Sequence, residues 1–282
     1  MPNHVEPKIL QKGLLIVIDG IDGAGKTTQT NFLVEKLQNE GYPVISLHEP
    51  TDGTYGQIIR QIAKGSRKAS AEEELDFFLH DRHDDVTINI NPALKAGKIV
   101  VMDRYYFSSI AYQGARGLNL DNIEQKNLEI APEPDLLIIL DVKPTVSLMR
   151  IWRDRIEGPN EFENNERLEK AREIFNSFQN RSYTRIVDGN GQLSPENVSE
   201  NIWNVVKPFI TNFVDITFET EKLWGLLKQK LTISPIDKED VAMIENRLTQ
   251  LLCPKNKESC EPTECSFKLS NTCEFIKHRQ EC

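Results

Sequence analysis

Short apolar runs alternate with longer amphipathic stretches along most of the chain. Five mainly apolar runs predict strands, at residues 14–18, 43–47, 99–102, 136–140 and 185–188. Apolar residues recur at helical spacing between the first two runs, from Lys26 to Asn39, and again from about residue 196. Strands that are apolar throughout and separated by helices are typical of a parallel sheet covered on both faces. The pattern therefore predicts a three-layer α/β fold with a five-stranded parallel sheet.

Polar residues directly follow several of the predicted strands. Two of the apolar runs end in an aspartate, at Asp103 and Asp141. In open parallel sheets, ligands bind beyond the carboxyl ends of the strands. The residues that follow each strand are therefore where the sequence predicts the functional site.

A glycine-rich segment follows the first strand. Residues 20–27 fit the phosphate-loop pattern G-x-x-x-x-G-K-[ST], with a buried strand before it and a helix after it. The glycines allow successive N–H groups to converge on phosphate oxygens, helped by the positive end of the helix. Lys26 can reach the β- and γ-phosphates, and the Thr27 hydroxyl can bind Mg²⁺. A glycine-rich turn without a ligand is the weaker alternative, so we expect a P-loop NTPase-type fold.

The charge balance and the apolar runs exclude several other functions. Lys and Arg total 34 against 43 Asp and Glu, which gives a net charge of −9. An acidic protein is poorly suited to a broad nucleic-acid surface or a polybasic membrane anchor. The longest apolar runs have five residues, whereas a spanning helix needs roughly 20. The start of the chain has no signal-peptide pattern, so we expect a cytoplasmic protein that binds neither nucleic acid nor membrane.

Several arginines lie near the predicted site despite the acidic charge. Arg60, Arg82 and Arg104 each follow a strand or lie on a flanking helical segment. The guanine-reading motif Asn-Lys-x-Asp of GTPases does not occur in the sequence. So much local positive charge suggests a pocket for several phosphates, belonging to a donor and an acceptor. This combination indicates a nucleoside monophosphate kinase.

Six segments resemble the thymidylate kinase family and occur in the family's order. They are residues 19–29, 49–60, 78–82, 103–114, 134–142 and 150–155. Each segment after the first is weak alone, whereas six in order are specific. The resemblance spans about residues 13–210. It implies an enzyme of nucleotide biosynthesis that uses ATP and Mg²⁺ to convert dTMP to dTDP and that works as a homodimer.

The resemblance implies roles for individual residues on the ATP side. The nucleotide would bind the phosphate loop, at Gly20, Ile21, Asp22, Gly23, Ala24, Gly25, Lys26, Thr27 and Thr28. Lys26 and Arg104 would be catalytic residues. Mg²⁺ would be held by Thr27 and Asp103, with Asp103 acting directly or through water.

The resemblance also implies how dTMP would bind. Asp22 would meet the sugar 3′-hydroxyl, and Arg60 and Arg104 would hold the acceptor phosphate. Phe78 would stack on thymine, while Arg82, one helical turn later, would donate to a base carbonyl. The remaining contacts would come from Ser109 and Gln113 at the base and Tyr112 at the sugar 2′ position.

Structural roles are the alternatives for some of these residues. Phe78 could pack in the core beside its apolar neighbours. Arg82 and Arg104 each follow an aspartate, so that ion pairs could account for both. A buried tyrosine with a satisfied hydroxyl would look the same as Tyr112. The family commonly has two glycines where this chain has Thr51-Asp52, which leaves the shape of that loop open.

The family divides by where its catalytic arginine lies. One group carries it inside the phosphate loop, where this chain has Gly23, and the other carries it on a mobile lid. Arg150, Arg153 and Arg155, followed by Gly158-Pro159-Asn160, resemble such a lid. A closing arginine neutralises charge on the transferring phosphoryl group and excludes water. We expect Arg153 and Arg155 to be catalytic, with a solvated helix face as the alternative.

The resemblance ends near residue 212. This predicts a kinase-like domain over residues 1–212 and a small helical extension over residues 213–282 with a Cys-rich segment at 253–282. The five cysteines of the chain all lie in that segment: Cys253, Cys260, Cys265, Cys273 and Cys282. Their spacing fits no standard zinc or iron–sulfur pattern. Zinc, an iron–sulfur cluster, disulfides and free thiols remain alternatives. A structural metal is favoured, held by four of the five cysteines or by three of them and His278.

Two other functions remain open from the sequence. One keeps the chemistry but takes another pyrimidine monophosphate, such as dUMP, as the acceptor. The other is a nucleotide-binding regulator controlled by the metal or redox state of the Cys-rich segment. The intact set of Lys26, Thr27, Asp103 and Arg104 favours an enzyme.

Overall fold

The fold is built around one sheet of five parallel strands. A computed structural model describes residues 8, 10, 12–154, 165–191 and 193–232. The strands lie in the order β2-β3-β1-β4-β5. They are β1 Leu14–Asp19, β2 Val44–His48, β3 Ile99–Asp103, β4 Leu136–Asp141 and β5 Thr184–Asp188. The predicted α/β fold and its five-stranded parallel sheet are confirmed.

The described part of the chain also contains helices between and after the strands. They are α1 Lys26–Asn39, α2 Thr54–Ala63, α3 Ala71–Asp85, α4 Asn91–Lys95, α5 Tyr106–Ala115, α6 Leu120–Leu128, α7 Pro144–Asp154, α8 Asn165–Ser177 and α9 Pro195–Thr232. A π-helical turn at Val86–Ile90 joins α3 to α4, and a 3₁₀ turn at Phe178–Asn180 follows α8. The helical patterns predicted after residue 196 and around residues 218–231 both fall on α9. The pattern predicted around residues 234–252 lies outside the described residues.

The three central strands form the core of the sheet. Every residue of β1 and β3 is buried, as are all but the last residue of β4. The edge strands β2 and β5 are more exposed. Burial of both faces of the central strands explains their unbroken apolar runs. The rigid core fixes the carboxyl ends of the strands, where the polar residues lie.

The strand order places a crevice at the carboxyl end of β1. This strand lies between β3 and β4, and Ile18 of β1 is in register with Asp103 of β3. The chain leaves β1 toward β2 on one side of the sheet, and β4 lies on the other side. Such a switch point is where open α/β sheets bind ligands. The phosphate loop after β1 and the polar residues after β3 meet there.

The chain divides into two units between Phe209 and Ile210, within α9. The domain boundary predicted at residue 212 and the role of residues 213–282 stay predictions. The five cysteines lie outside the described residues. Among the helices that the structure describes, none is long and apolar enough to cross a membrane.

Candidate active site

The phosphate loop has no room for a side chain at Gly23. This glycine has a φ of +69°, and a Cβ added there would lie 2.7 Å from the backbone oxygen of Ser147. A positive φ and a contact that short both disfavour any L side chain. An arginine inside the loop is therefore incompatible with this backbone, which leaves α7 and the residues after it as the source of a donor-side arginine.

Helix α7 contacts the phosphate loop directly. The Ser147 hydroxyl donates to the backbone oxygen of Asp22. Arg150 donates from Nη1 to Gly23 O at 3.3 Å and from Nη2 to Gly189 O at 2.7 Å. These bonds connect the loop after β1 to the segment after β5. Arg150, expected on the lid, thus contacts the backbone of the loop.

A cleft of about 380 Å³ lies against the outer side of the loop. Backbone of the loop and the side chains of Thr28, Arg150 and Arg153 contribute to its lining, as do Gly189 and Pro195. The cleft is large enough for part of a nucleotide. Arg153 is therefore beside the donor side of the loop, whereas Arg155 lies outside the described residues.

Lys26 has its amine at the mouth of the loop. Its Nζ donates to Gly20 O at 3.0 Å and to Ile21 O at 2.8 Å. Burial and the nearby charge of Arg104 lower the pKa of Lys26 to about 8, although the surrounding carboxylates oppose the shift. Carbonyl oxygens are weak partners for an ammonium group compared with phosphate. The lysine is thus ready to exchange them for phosphate oxygens.

Thr27 and Asp103 meet between β1 and β3. The Thr27 hydroxyl donates to one carboxylate oxygen of Asp103. The other oxygen, Asp103 Oδ1, is buried and has no hydrogen-bond partner among the described residues. A hydroxyl and a carboxylate oxygen with a spare lone pair are the ligands that Mg²⁺ prefers. The residues present therefore fit the predicted magnesium site.

Arg104 and Asp22 form an ion pair across the site. The Arg104 guanidinium donates to the Asp22 carboxylate and, at 3.4 Å, to the Ser108 hydroxyl. Burial alone would raise the pKa of Asp22, but the charges of Arg104 and Lys26 lower it to about 2. The backbone N–H of Asp22 donates to the Tyr112 hydroxyl at 2.8 Å. Asp22, Arg104 and Tyr112, expected at the sugar and acceptor phosphate, are thus brought together.

Arg104 has an unusual backbone conformation. Its φ is +70°, in the left-handed region that side-chain-bearing residues rarely adopt. The neighbouring buried carboxylate of Asp19 accepts from the backbone N–H groups of Tyr105 and Ser108 at 3.2 and 3.0 Å and from the Ser108 hydroxyl at 2.7 Å. Asp19 therefore fixes the turn into α5 that holds Arg104. The sequence prediction missed this role, and the signal was an acidic residue at the end of a buried strand.

Arg60 lies at the edge of the site, on α2. Its guanidinium donates to Pro50 O at 3.2 Å, to Asp52 Oδ1 at 2.6 Å and to Thr51 O. The pair is open to solvent, since the side chains of Arg60 and Asp52 are 37% and 86% exposed. The loop that departs from the family's two glycines thus contacts the arginine expected at the acceptor phosphate.

Arg82 is buried in a network on α3. Its Nε donates to both carboxylate oxygens of Glu49 at 3.1 and 3.0 Å, and Nη2 donates to Glu49 and, at 3.3 Å, to Ser109 Oγ. Nη1 donates to Asn127 Oδ1. Burial raises the pKa of Glu49, against the opposing charge of Arg82. The ion-pair partner is thus Glu49 and not the adjacent Asp81.

A second network joins α3 to α5 at Glu74, one helical turn before Phe78. Gln113 Nε2 donates to Glu74 Oε1 at 2.6 Å, and Arg116 forms an ion pair with the same carboxylate. Phe78 itself is half-buried. Helix α3 begins with a capping box between Ser70 and Glu73, which fixes its first turn. Ser109 and Gln113 of α5 thus contact α3 at Arg82 and Glu74, which lie four residues after and four residues before Phe78. Their role at the base stays a prediction.

The sequence prediction gave no role to Glu74. The signal was its spacing, because it lies four residues before Phe78 and eight before Arg82 on the same helix face. Glu49 lies in one of the six matching segments, and the sequence prediction gave it no role either. Both are buried acids that hold an expected base-side residue.

A phosphate loop at the switch point of a parallel sheet, with cations placed for a second phosphate, defines a P-loop nucleotide-binding protein. Comparison with known proteins narrows this class. The family model "Thymidylate kinase" matches residues 18–202. The chain belongs to the thymidylate kinase family, as the resemblance in its sequence predicted.

Individual relatives agree with the family model. The chain is 44% identical over 198 residues to the thymidylate kinase of Desulfotalea psychrophila, covering 70% of this chain and 96% of the relative. It is 43% identical over 198 residues, with the same coverage, to a protein named probable thymidylate kinase of Archaeoglobus fulgidus. It is 48% identical to a thymidylate kinase of Xanthomonas campestris over 167 residues, which are 59% of this chain and 72% of the relative.

Proposed function

We propose that this protein transfers the γ-phosphoryl group of ATP to dTMP and releases dTDP. The observation that carries the proposal is the contact between Arg104 and Asp22, which joins a cation after β3 to the phosphate loop after β1. An acceptor phosphate bound by Arg104 would lie beside the donor phosphates. Family membership and the names of the relatives support dTMP as the acceptor and do not favour the alternative functions.

The donor side would bind ATP through the loop and Lys26. Backbone N–H groups of residues 20–28 would surround the phosphates, assisted by the N-terminus of α1. Protonated Lys26 would replace its bonds to Gly20 O and Ile21 O by bonds to the β- and γ-phosphates. These donors stabilise the charge that develops on the transferring group.

Members of the family use ATP with Mg²⁺. Thr27 and Asp103 would hold the ion, since Asp103 Oδ1 is a buried acceptor with no partner in the described part of the chain. When bound, Mg²⁺ supplies positive charge to the donor phosphates. No general base is required, because the acceptor is already a phosphate anion and catalysis depends on positioning and electrostatics.

The acceptor side would bind dTMP by exchange of partners. Arg104 and Arg60 would give up the carboxylates of Asp22 and Asp52 for the acceptor phosphate. Asp22 could then accept from the sugar 3′-hydroxyl, and Tyr112 would lie at the 2′ position. The exchange replaces one anion by another at each arginine, so that it costs little electrostatic free energy.

The base would stack on Phe78 and contact Arg82, Ser109 and Gln113. A guanidinium has five N–H groups, and four of those of Arg82 donate to Glu49, Ser109 and Asn127. Among the described residues, no hydrogen bond is seen from the fifth, on Nη1, which would donate to a base carbonyl. Arg82 can therefore hold the fold and also donate to thymine.

The lid would supply the last positive charge. Arg153 lies at the donor-side cleft, and Arg155 follows two residues later in the sequence. We propose that these two arginines close on the γ-phosphate. An arginine in this role contributes about 10³–10⁵ in rate.

A panel of nucleoside monophosphates tests the proposal. Formation of ADP is measured with MgATP and dTMP, dUMP, dCMP, dGMP or AMP, and kcat/KM is compared. We expect the highest value for dTMP, followed by dUMP. A preference for a purine monophosphate, or hydrolysis of ATP that does not depend on the acceptor, would overturn the assignment.

Three further expectations complete the proposal. The enzyme is cytoplasmic. It works as a homodimer, and light scattering on the purified chain tests this oligomeric state. The cysteines of residues 253–282 hold Zn²⁺ or an iron–sulfur cluster. Metal analysis of the same sample checks this expectation, and a preparation that is active and free of both metals contradicts it.

A further inference from the structure

Two hydrogen-bonded pairs connect α3 to α5, one on each side of Phe78. The first joins Arg82 to Ser109, and the second joins Glu74 to Gln113. Glu74, Phe78 and Arg82 follow one another at intervals of four residues along α3, and Ser109 and Gln113 are four residues apart on α5, so that each set lies on one helix face. A planar base stacked on Phe78 would therefore have one pair at each of two edges.

The second pair has a fixed polarity. Glu74 is only 1% exposed, accepts from Gln113 Nε2 at 2.6 Å and forms an ion pair with Arg116. Burial raises the pKa of Glu74, while the charge of Arg116 and the bond from Gln113 oppose that shift. In its ion pair with Arg116 the group is a carboxylate, which accepts hydrogen bonds and cannot donate. The carboxamide nitrogen of Gln113 must therefore face Glu74.

This polarity leaves the carboxamide oxygen of Gln113 without a partner. Gln113 is 1% exposed, and its Oε1 is buried with no hydrogen-bond partner among the residues that the structure describes. An unpaired buried acceptor is unfavourable, because it has lost its bonds to water. A ligand that brings an N–H group to this atom would remove the penalty.

We propose that Glu74 is a positioning residue that sets the base preference of the acceptor site. By holding Gln113 Nε2, Glu74 presents Gln113 Oε1 to the base as a hydrogen-bond acceptor. Thymine and uracil carry an N–H at ring position 3, whereas cytosine carries a lone pair there that would oppose the lone pairs of Oε1. This inference rests on the proposed function, because it gives the cause of base selectivity at the same site.

The isosteric variant Glu74→Gln tests the role of the carboxylate. Glutamine at this position can donate or accept, so it no longer forces one orientation on the Gln113 carboxamide. The ratio of kcat/KM for dTMP to that for dCMP should fall about tenfold. The change should lie in KM, with kcat for dTMP kept within about twofold, because the phosphate side is untouched. An unchanged ratio would overturn the proposal.

An exchange variant separates positioning from stability. In Glu74→Gln combined with Gln113→Glu, position 113 again carries oxygens that only accept, so the ratio should return to within about threefold of the wild-type value. Glu124→Gln is the matched control, because it breaks an ion pair with Arg181 on other elements and should leave the ratio unchanged. A purely structural role for Glu74 would lower the melting temperature without moving the ratio.

Binding of ATP reports folding for every variant. If Glu74→Gln does not bind ATP, the test rests on the exchange variant. An exchange variant that binds ATP but does not recover the ratio of kcat/KM for dTMP to that for dCMP overturns the proposal. A wild-type enzyme that does not phosphorylate dTMP overturns the proposed function itself. An active wild type with an unchanged ratio in Glu74→Gln overturns only the role of Glu74.

Discussion

The phosphate side and the base side of the acceptor site are held in different ways. On the phosphate side, Arg104 and Asp22 pair at a position that solvent still reaches, with side chains 22% and 11% exposed. On the base side, Arg82 and Glu49 are 1% and 2% exposed and are joined by several bonds. The first pair can exchange partners when an anion binds, whereas the second is fixed before any ligand arrives.

The difference separates two tasks within one site. The cations that must contact a phosphate stay accessible to solvent, and their present partners can be replaced by the phosphate. Groups that must recognise a flat base are held rigidly, because each ordered side chain that is fixed in advance reduces the entropy lost on binding. Substitutions on the phosphate side should therefore reduce turnover with little loss of stability. Substitutions on the base side should reduce stability with little loss of turnover.

The largest loss of turnover is expected from Lys26→Met. The variant lacks the charge that would contact the β- and γ-phosphates, so kcat should fall by about 10³ or more. Its free energy of unfolding should not decrease, because burial already disfavours the charged lysine and lowers its pKa to about 8. Coupled ADP assays and urea unfolding check both parts. Lys36→Met, on the same helix and paired with Glu200, is the control that should keep its turnover; normal turnover in Lys26→Met would contradict the mechanism.

Arg104 is expected to separate catalysis from backbone conformation. Both Arg104→Ala and Arg104→Gly should lose about 10² in kcat, because neither carries the charge. Arg104→Gly should be more stable than Arg104→Ala by about 1 kcal/mol, since glycine adopts a φ of +70° without a steric penalty. Thermal unfolding of the two variants measures the difference. Equal stability would mean that the backbone there relaxes.

Arg82→Met is expected to act mainly on stability. It leaves the buried carboxylate of Glu49 without its guanidinium partner, which costs about 3–5 kcal/mol of unfolding free energy. Adding Glu49→Gln should recover part of the loss, because the uncompensated charge is removed. Lys170→Met breaks an exposed pair with Glu166 and should change the free energy by less than about 0.5 kcal/mol. A loss below about 1 kcal/mol for Arg82→Met in urea unfolding would contradict the comparison.

The alkaline limb of the pH profile should report Lys26. Its pKa in the free enzyme is about 8, so the charged form is lost as pH rises through that value. The kcat/KM for ATP should therefore fall above about pH 8, by up to tenfold per pH unit. In Lys26→Arg the limb should move beyond pH 10, because arginine stays protonated. A limb at the same pH in both enzymes would assign it to another group.

The smallest effect is expected at the rim of the phosphate side. Asp52→Asn removes an exposed carboxylate from Arg60, so stability should change by less than about 0.5 kcal/mol. The KM for dTMP should fall by no more than about threefold, because Arg60 keeps its bonds to backbone carbonyls. Steady-state kinetics with dTMP as the varied substrate measure the change. A rise in KM would mean that Asp52 positions Arg60 for the substrate.

The sheet and the phosphate loop were predictable because their signals are local. Strands such as residues 14–18 and 136–140 are apolar throughout, and the glycines and lysine of the loop lie within eight residues. The two helical patterns after residue 196 fall on one helix, Pro195–Thr232. The spacing of the apolar residues could not show whether these patterns form one helix or two, since a hydrophobic pattern does not mark where a helix ends.

The partners of the arginines were not predictable in the same way. The ion-pair alternatives for Arg82 and Arg104 named the aspartates that precede them, but the observed partners are Glu49 and Asp22, 33 and 82 residues away. Adjacent residues on a helix point in different directions, and the strand order decides which distant acid comes close. Asp19 and Glu74 were missed for the same reason, because burial of an acid depends on elements that arrive later in the chain.

The four-residue spacing along α3 and α5 has a consequence for protein engineering. The groups proposed to recognise the base occupy one face of two short helices, whereas the groups proposed for phosphoryl transfer follow β1 and β3. The residues proposed to set the base preference can thus be changed without changing those proposed for phosphoryl transfer. A library confined to positions 74, 109 and 113 would search for kinases of other pyrimidine monophosphates, including unnatural ones, while the chemical step stays constant.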